Sequence, residues 1–293
     1  MLLAIDINNK NTNFGIFEDE RLVTKFSIMT DKNRSTEEIK LTIKLILMDK
    51  KVDLADISDI ILSSVVPELN SSYDIISKDI LGKGPMVISA GVKTGLNIKC
   101  ESPREVGTDR IIRAVAATQR YRENIIIISA SSVTTIDYIN AKKEFMGGLI
   151  LPGISLLQDS LVRGSAKLPL VEIKKPEDII GKNTEKAIQR GIYFGYRKAV
   201  LGIVDEIIKT YSLNKNNTKI LTTGAMAGLL ENEIYAMEED QALGIFGLKI
   251  IYDLNKNKAS WLEPYFLYFS KSSIFTLWNF TSKSLKSTIF SIV

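Results

Sequence analysis

The 293-residue chain contains no histidine. That absence removes the commonest general base, the Ser–His dyad and the usual zinc ligand. Cysteine occurs once, at Cys100, which excludes an intramolecular disulfide and a multi-thiolate metal site. Acid–base chemistry is left to Asp, Glu, Lys and Tyr. No apolar run reaches the roughly 18 residues of a membrane span. Lys and Arg are scattered and the formal net charge is only +4, so nothing favours a nucleic-acid partner. The start, Met1-Leu2-Leu3-Ala4-Ile5-Asp6, lacks a basic region and meets a charge early, so it reads as a strand and not a leader. The cytoplasm is the expected location.

What is present is an ordinary folded composition, 45% hydrophobic and 25% charged, long enough for two domains or one duplicated unit. Strand-like runs at 2–7, 13–18 and 21–28 open the first half. A helical pattern at 35–48, an apolar strand at 60–62 and a second helix at 109–121 follow. The second half repeats the order, with strands at 125–128, 133–139 and 145–151. Helices near 153–163 and 183–210, a strand at 219–222 and a helix near 226–232 complete it. Two α/β lobes facing a cleft are the expected result. The last 35 residues, 259–293, carry both tryptophans and a single acid, Glu263, without sustained period. A weakly structured tail is the preferred reading; a packed extension and a membrane-surface segment are the alternatives.

Asp6 ends the first apolar strand and is followed by Asn8, Asn9, Lys10, Asn11, Thr12 and Asn13 before the chain returns as Phe14-Gly15-Ile16-Phe17. Such a turn offers backbone N–H groups and short donors to a phosphate. The carboxylate can hold Mg2+ directly or through water. An ordinary Asn-rich hairpin is the competing reading. Asp109, in Gly107-Thr108-Asp109-Arg110, stands at a helix entrance where the dipole favours its ionised form. There it can accept a proton from a hydroxyl, and Arg110 can pair with an anion. A plain N-cap reads the same way. Ser129-Ala130-Ser131-Ser132 is the counterpart of the Asp6 turn in the second half. Gly147-Gly148, Pro152-Gly153 and Thr223-Gly224-Ala225 mark strand ends suited to close approach by a ligand or a neighbouring strand.

In this order the segments resemble the type III pantothenate kinase family. They are LLAIDINNKNTNFGIF at the start, SSVVP at 63–67, VKTGLNI at 92–98 and SPREVGTDRI at 102–111. VTTID at 133–137, GGLILPGISL at 147–156 and LP at 168–169 follow, then IGKNTEKAIQRGIYFGY at 180–196, TTGA at 222–225 and FGLKIIY at 246–252. The resemblance implies an α/β fold of duplicated ribonuclease-H-like (actin-like ATPase) domains with a central interlobe cleft. Lobes at 1–118 and 119–258 are expected, with the 259–293 tail outside them. It implies transfer of the γ-phosphoryl group of ATP to the primary hydroxyl of pantothenate, the first step of coenzyme A synthesis, by a homodimer using Mg2+ and a monovalent cation (K+ or NH4+). Asp6, Asn8, Asn9, Lys10, Asn11, Thr12 and Asn13 would form the ATP phosphate loop, with Asp6 on Mg2+ and Ser132 also on ATP. Cys100, Gly107, Thr108, Asp109, Arg110 and Thr184 would face pantothenate, with Asp109 as the catalytic proton acceptor. Phosphoryl transfer needs positioning, charge neutralisation and a carboxylate to orient the hydroxyl, and it needs no histidine.

The chain departs from the family pattern at the phosphate end. The first motif, D-x-G-N-T-N in the family, has Asn8 for Gly and Lys10 for Thr. The second, D-x-G-T-A-x-T, has Ser129 for the Asp that would hold the monovalent cation and Ser131 for Gly. Cys100 stands where the family has a Tyr. These substitutions raise an alternative: an impaired homologue acting as a binding or regulatory subunit.

Overall fold

The computed structural model describes residues 1–230 and 235–256. The expected 259–293 tail lies outside the described residues, as does the end of the helix expected near 226–232.

β1 (Leu2–Ile7) is buried along its whole length, as an apolar run flanked on both edges should be. It pairs antiparallel with β2 (Asn11–Glu18), which pairs with β3 (Arg21–Met29), and it pairs parallel with β4 (Asp59–Ser64). β5 (Met86–Val87) completes a sheet of order β3-β2-β1-β4-β5. The second sheet is built from β6 (Asn97–Ile98), β7 (Asn124–Ala130), β8 (Val133–Ile139), β9 (Glu144–Pro152), β10 (Thr218–Thr223) and β11 (Met237–Glu239). Its order is β11-β10-β7-β8-β9-β6. Without β6 the two orders are the same: three antiparallel strands, then two added parallel to the first. This is the duplicated ribonuclease-H-like α/β architecture.

Helices fill the layers. α1 (Thr36–Asp49) begins in a capping box, the Ser35 hydroxyl accepting from the Glu38 N–H at 3.2 Å and the Glu38 carboxylate accepting from the Ser35 N–H at 2.8 Å. α2 (Asn70–Leu81) ends at Gly82, whose φ of +69° is the left-handed cap glycine allows. α1 and α2 pack with the first sheet through Ile39, Ile43, Leu47, Tyr73 and Ile76, forming one core with Leu3, Ile5 and Phe14. α4 (Ile154–Gly164) lies against α5 (Thr184–Thr210), and α5 sends Ile192, Tyr196, Val200 and Val204 into a second core with Ile126 and Ile128.

The remaining two helices join the halves. α3 (Thr108–Arg120) packs on α6 (Leu243–Asn255); α6 lies on β1, β2 and β4, while α3 touches β4, β7 and β8. Their approach depends on glycine. A Cβ on Gly247 would fall 1.8 Å from the Ile112 carbonyl oxygen.

The expected helix near 226–232 is a correction. Its described part is a single 3₁₀ turn, Ala227–Leu230, in which the Ala227 and Leu229 N–H groups donate three residues back, to Gly224 and Met226. The α3–α6 crossing gives a direct test. Gly247→Ala should cost about 1–3 kcal/mol in chemical denaturation, the usual penalty for forcing atoms into a packed interior. An unchanged midpoint would show that the crossing has room for a methyl group at Gly247.

Candidate active site

The turns after β1 and β7 occupy the same place in the two sheets. Asp6 is the penultimate residue of β1, opposite Asn13 on β2 and Ser63 on β4. Ser129 is the penultimate residue of β7, opposite Thr135 on β8 and Thr223 on β10. Both turns open on one hollow of about 350 Å³. Asp6, Asn8, Lys10, Asn11 and Asn13 line it from the first half, and Ser129, Ser131, Ser132 and Thr223–Met226 from the second.

Asp6 is only 3% exposed. Burial pushes its carboxyl above the usual carboxylate range, against the pull of Arg113, Asn8 and Ser63; Asp109 adds to the rise. Its Oδ2 accepts from the Asn8 side-chain amide at 2.7 Å, while Oδ1 is buried without a hydrogen-bond partner. α6 comes close at Gly244, where a Cβ would stand 3.2 Å from Oδ2.

Asp109 sits on the first turn of α3, with Arg113 one turn on. The Arg113 Nη1 lies 2.9 Å from Asp109 Oδ2, and its Nη2 donates to Asn8 Oδ1 at 3.3 Å. Asp6, Asn8, Arg113 and Asp109 thus form a continuous polar chain. Gly107, the residue before α3, leaves room for the Asp109 carboxylate, since a Cβ there would meet Oδ1 at 2.6 Å. Thr108 anchors the helix entrance to β4, its Oγ1 accepting from Ser63 at 3.0 Å. Arg110 turns the other way. Its Nε donates to Asp137 Oδ1 at 2.8 Å, its Nη2 reaches the same oxygen, and its guanidinium lies 5.4 Å from the Phe145 ring centroid. Burial raises the Asp137 carboxyl, opposed by Arg110. Gly148 makes space for the pair, because a Cβ there would meet Asp137 Oδ1 at 2.4 Å and Arg110 Nη2 at 2.8 Å.

Not every expected residue lines the hollow. Gly107, Thr108, Asp109 and Arg110 are not on its wall, and Asp109 is joined to it through Arg113. Asn9 is exposed beside it, and Thr12 turns inward, its hydroxyl 2.9 Å from that of Thr30. Cys100 is half-buried beyond β6, near Gly147, which has φ +113°. Thr184 lines a different hollow, an apolar groove of about 680 Å³ with Leu157, Ile188, Gly191, Gly195 and Tyr196. Conversely, Arg113, Lys25, Gln241 and Gly244 line the central hollow and were not singled out from the sequence. Gln241 staples the Thr223-Gly224-Ala225 turn, accepting from the Gly224 N–H at 3.2 Å and donating to its carbonyl at 3.0 Å.

The departures in the two turns carry no left-handed strain. Asn8 and Ser131 are absent from the residues with positive φ, so glycine is not required at either place. On the wall of the hollow, the Asn8 side chain is committed to Asp6 and Arg113, where it orders the carboxylate. Asp6→Asn should therefore stabilise the ligand-free fold at neutral pH. A buried acid with a raised pKa destabilises the fold fully above its folded value. The penalty fades as pH falls toward the unfolded value of about 4. The melting-temperature gain of Asp6→Asn should be present at pH 7 and gone near pH 4; a gain independent of pH would contradict it.

Residues 2–206 match the family model for type III pantothenate kinase. A type III pantothenate kinase of Geotalea uraniireducens is 39% identical over 258 residues, covering 87% of this chain and 99% of its own length. That of Exiguobacterium sibiricum is 38% identical over 257 residues, covering 87% of this chain and 100% of its own. Among solved structures, a protein described as a Baf family transcriptional activator from Campylobacter jejuni superposes with a TM-score of 0.55 at 20% identity. It covers 87% of this chain and 99% of its own, a likeness of fold.

Proposed function

The chain belongs to the type III pantothenate kinase family, and from that premise we propose how its cleft carries out the ATP-dependent phosphorylation of pantothenate. The observation that carries the proposal is the orphaned Oδ1 of buried Asp6 on the wall of a hollow also lined by Lys10, Lys25 and Arg113. A carboxylate held dry and left one oxygen short of a partner fits a divalent cation. Mg2+ is commonly held by one or two carboxylates together with substrate phosphates and water. When bound, it supplies charge neutralisation to the phosphate chain.

The roles divide between the halves. The 8–13 turn and Ser132 hold the ATP phosphates, with Lys10 and Lys25 balancing their charge. The Gln241-stapled turn at Thr223–Ala225 is placed for the ribose or base, at the end of a strand. Asp109 accepts the proton of the pantothenate hydroxyl as its oxygen attacks the γ-phosphorus. Its ion pair with Arg113 orients it. Gly107, Thr108, Arg110 and Cys100 belong to the pantothenate side, Arg110 being held in place by Asp137. Ser129 offers a hydroxyl where a monovalent cation would need a carboxylate. The residues there do not fit that cation. A cytoplasmic location suits an enzyme that draws on ATP.

Thr184 is the reason to include a homodimer. Within one chain it opens on the α5 groove and not on the central hollow. Exposed Ile150, Leu161, Leu170, Ile179 and Ile180 lie on the segments before α5. The groove itself is lined mainly by apolar residues, and a second copy docked there would both cover it and bring Thr184 to a pantothenate.

Two measurements test the proposal. Purified protein with ATP and Mg2+ should form phosphopantothenate, and Asp109→Ala should lower kcat by about 10²- to 10⁴-fold, the usual worth of a positioned base. Absence of turnover in the folded wild type would defeat it. For the dimer, Gly195→Glu should halve the mass seen by light scattering and weaken pantothenate binding. A monomeric wild type, or a monomeric variant with full pantothenate affinity, would remove Thr184 from the site.

A further inference from the structure

We propose that Arg113 is a catalytic residue whose guanidinium contacts the phosphoryl group in flight between ATP and the pantothenate hydroxyl. This rests on the reading of the central hollow as the kinase site. Arg113 is 8% exposed, yet it lines that hollow beside Asp6. Lys10 and Lys25, the other cations on the wall, are solvent-exposed and hydrated. Arg113 is the one among these three already stripped of water, and a charge acts most strongly where water is excluded.

Its bonding is incomplete for a purely structural arginine. Nη2 donates to Asn8 Oδ1 at 3.3 Å. Nη1 stands 2.9 Å from Asp109 Oδ2 but lacks hydrogen-bond geometry, so a buried N–H donor remains uncommitted. The guanidinium also lies within electrostatic reach of Asp6 and Asp137. Through Asn8 and by its ion pair it links the carboxylate that fits a cation to the carboxylate that takes the proton. A phosphoryl group passing from the hollow to a hydroxyl at Asp109 meets this guanidinium first, since Arg113 is on the wall and Asp109 is not.

The chemistry matches the position. The pantothenate oxygen forms a new bond to the γ-phosphorus while the bond from that phosphorus to the β–γ bridging oxygen breaks. The hydroxyl proton passes to Asp109, and the bridging oxygen leaves with its electron pair as part of ADP. Negative charge spreads over the three equatorial oxygens throughout. A planar fork of N–H donors is suited to two of them at once. Asn8, by holding Nη2, sets the plane of the fork.

The test uses the full-length chain with Mg2+. ATP and ADP affinities are measured by calorimetry without pantothenate, and kcat and KM are measured with it. Arg113→Met should lower kcat by about 100-fold or more, with the KM for pantothenate within about threefold. Its affinity for ATP should fall at least about tenfold while that for ADP stays within about threefold, since only ATP carries the contacted group. Arg113→Lys, which keeps the charge but loses the fork, should fall between the two. A Met variant with kcat within about threefold of wild type, or with ATP and ADP weakened by the same factor, would overturn the proposal. If the Met variant does not fold, the Lys variant decides: a narrowed gap between ATP and ADP supports the contact, and an unchanged gap refutes it. A wild type without turnover would sink the kinase reading, whereas the comparison of ATP with ADP would still judge Arg113.

Discussion

A carboxylate taken out of water at the end of a central strand is the constraint around which this molecule is organised. Ionised Asp6 is expensive to bury, and its neighbours are arranged to make it tolerable. Asn8 reaches back to one oxygen, Arg113 lends its field, and Gly244 lets α6 close over the site without touching it. The other oxygen stays unmatched. A fold selected only for stability would have put an apolar residue there, since native proteins leave few buried polar atoms unpaired. The deficit at Asp6 is thus instability that the fold carries for as long as that oxygen has no partner.

Much of the architecture could be read from residue order. The run Leu2–Ile7, the alternation in 21–28 and the β-branched stretch 133–139 are strong period signals, and each became a strand. Repetition of the pattern at residue 125 identified the duplication, which the two sheet orders reproduce. Asp6 and Ser129 fall at matching register positions because each ends the first strand of its repeat. The two helices that escaped notice did so for opposite reasons. α2 buries only Tyr73, Ile76 and Ser77, so its apolar stripe is faint. α6 buries Leu243, Ile245, Phe246, Leu248, Ile250 and Ile251 on all sides, so it has no stripe to detect.

The hollow was legible where its wall is a turn and illegible where its wall is a helix. Asn8, Lys10, Asn11 and Asn13 announce themselves as a polar cluster between apolar strands. Arg113 follows Ile111 and Ile112 in a helix and looks like any surface cation, and only the burial of both faces of α3 turns it inward. Lys25 shares a strand with alternating neighbours and gives no local signal. Gln241 matters through a contact with Gly224, 17 residues away in sequence. Substituted glycines were the hardest to judge. Their cost depends on φ, and the backbone at Asn8 and Ser131 is one that any residue can adopt.

The placement of α6 also sets an order of events during synthesis. The first sheet is made from residues 2–87, yet the helix that covers β1, β2 and β4 is Leu243–Asn255. A nascent chain emerging from the ribosome at about 5–20 residues per second displays that sheet with one face bare for roughly 8–34 s. The amino-terminal half therefore matures late, sealed by a helix made more than 150 residues after its sheet. Truncations that remove α6 would leave a sticky intermediate for chaperones to hold, and not an autonomous amino-terminal domain.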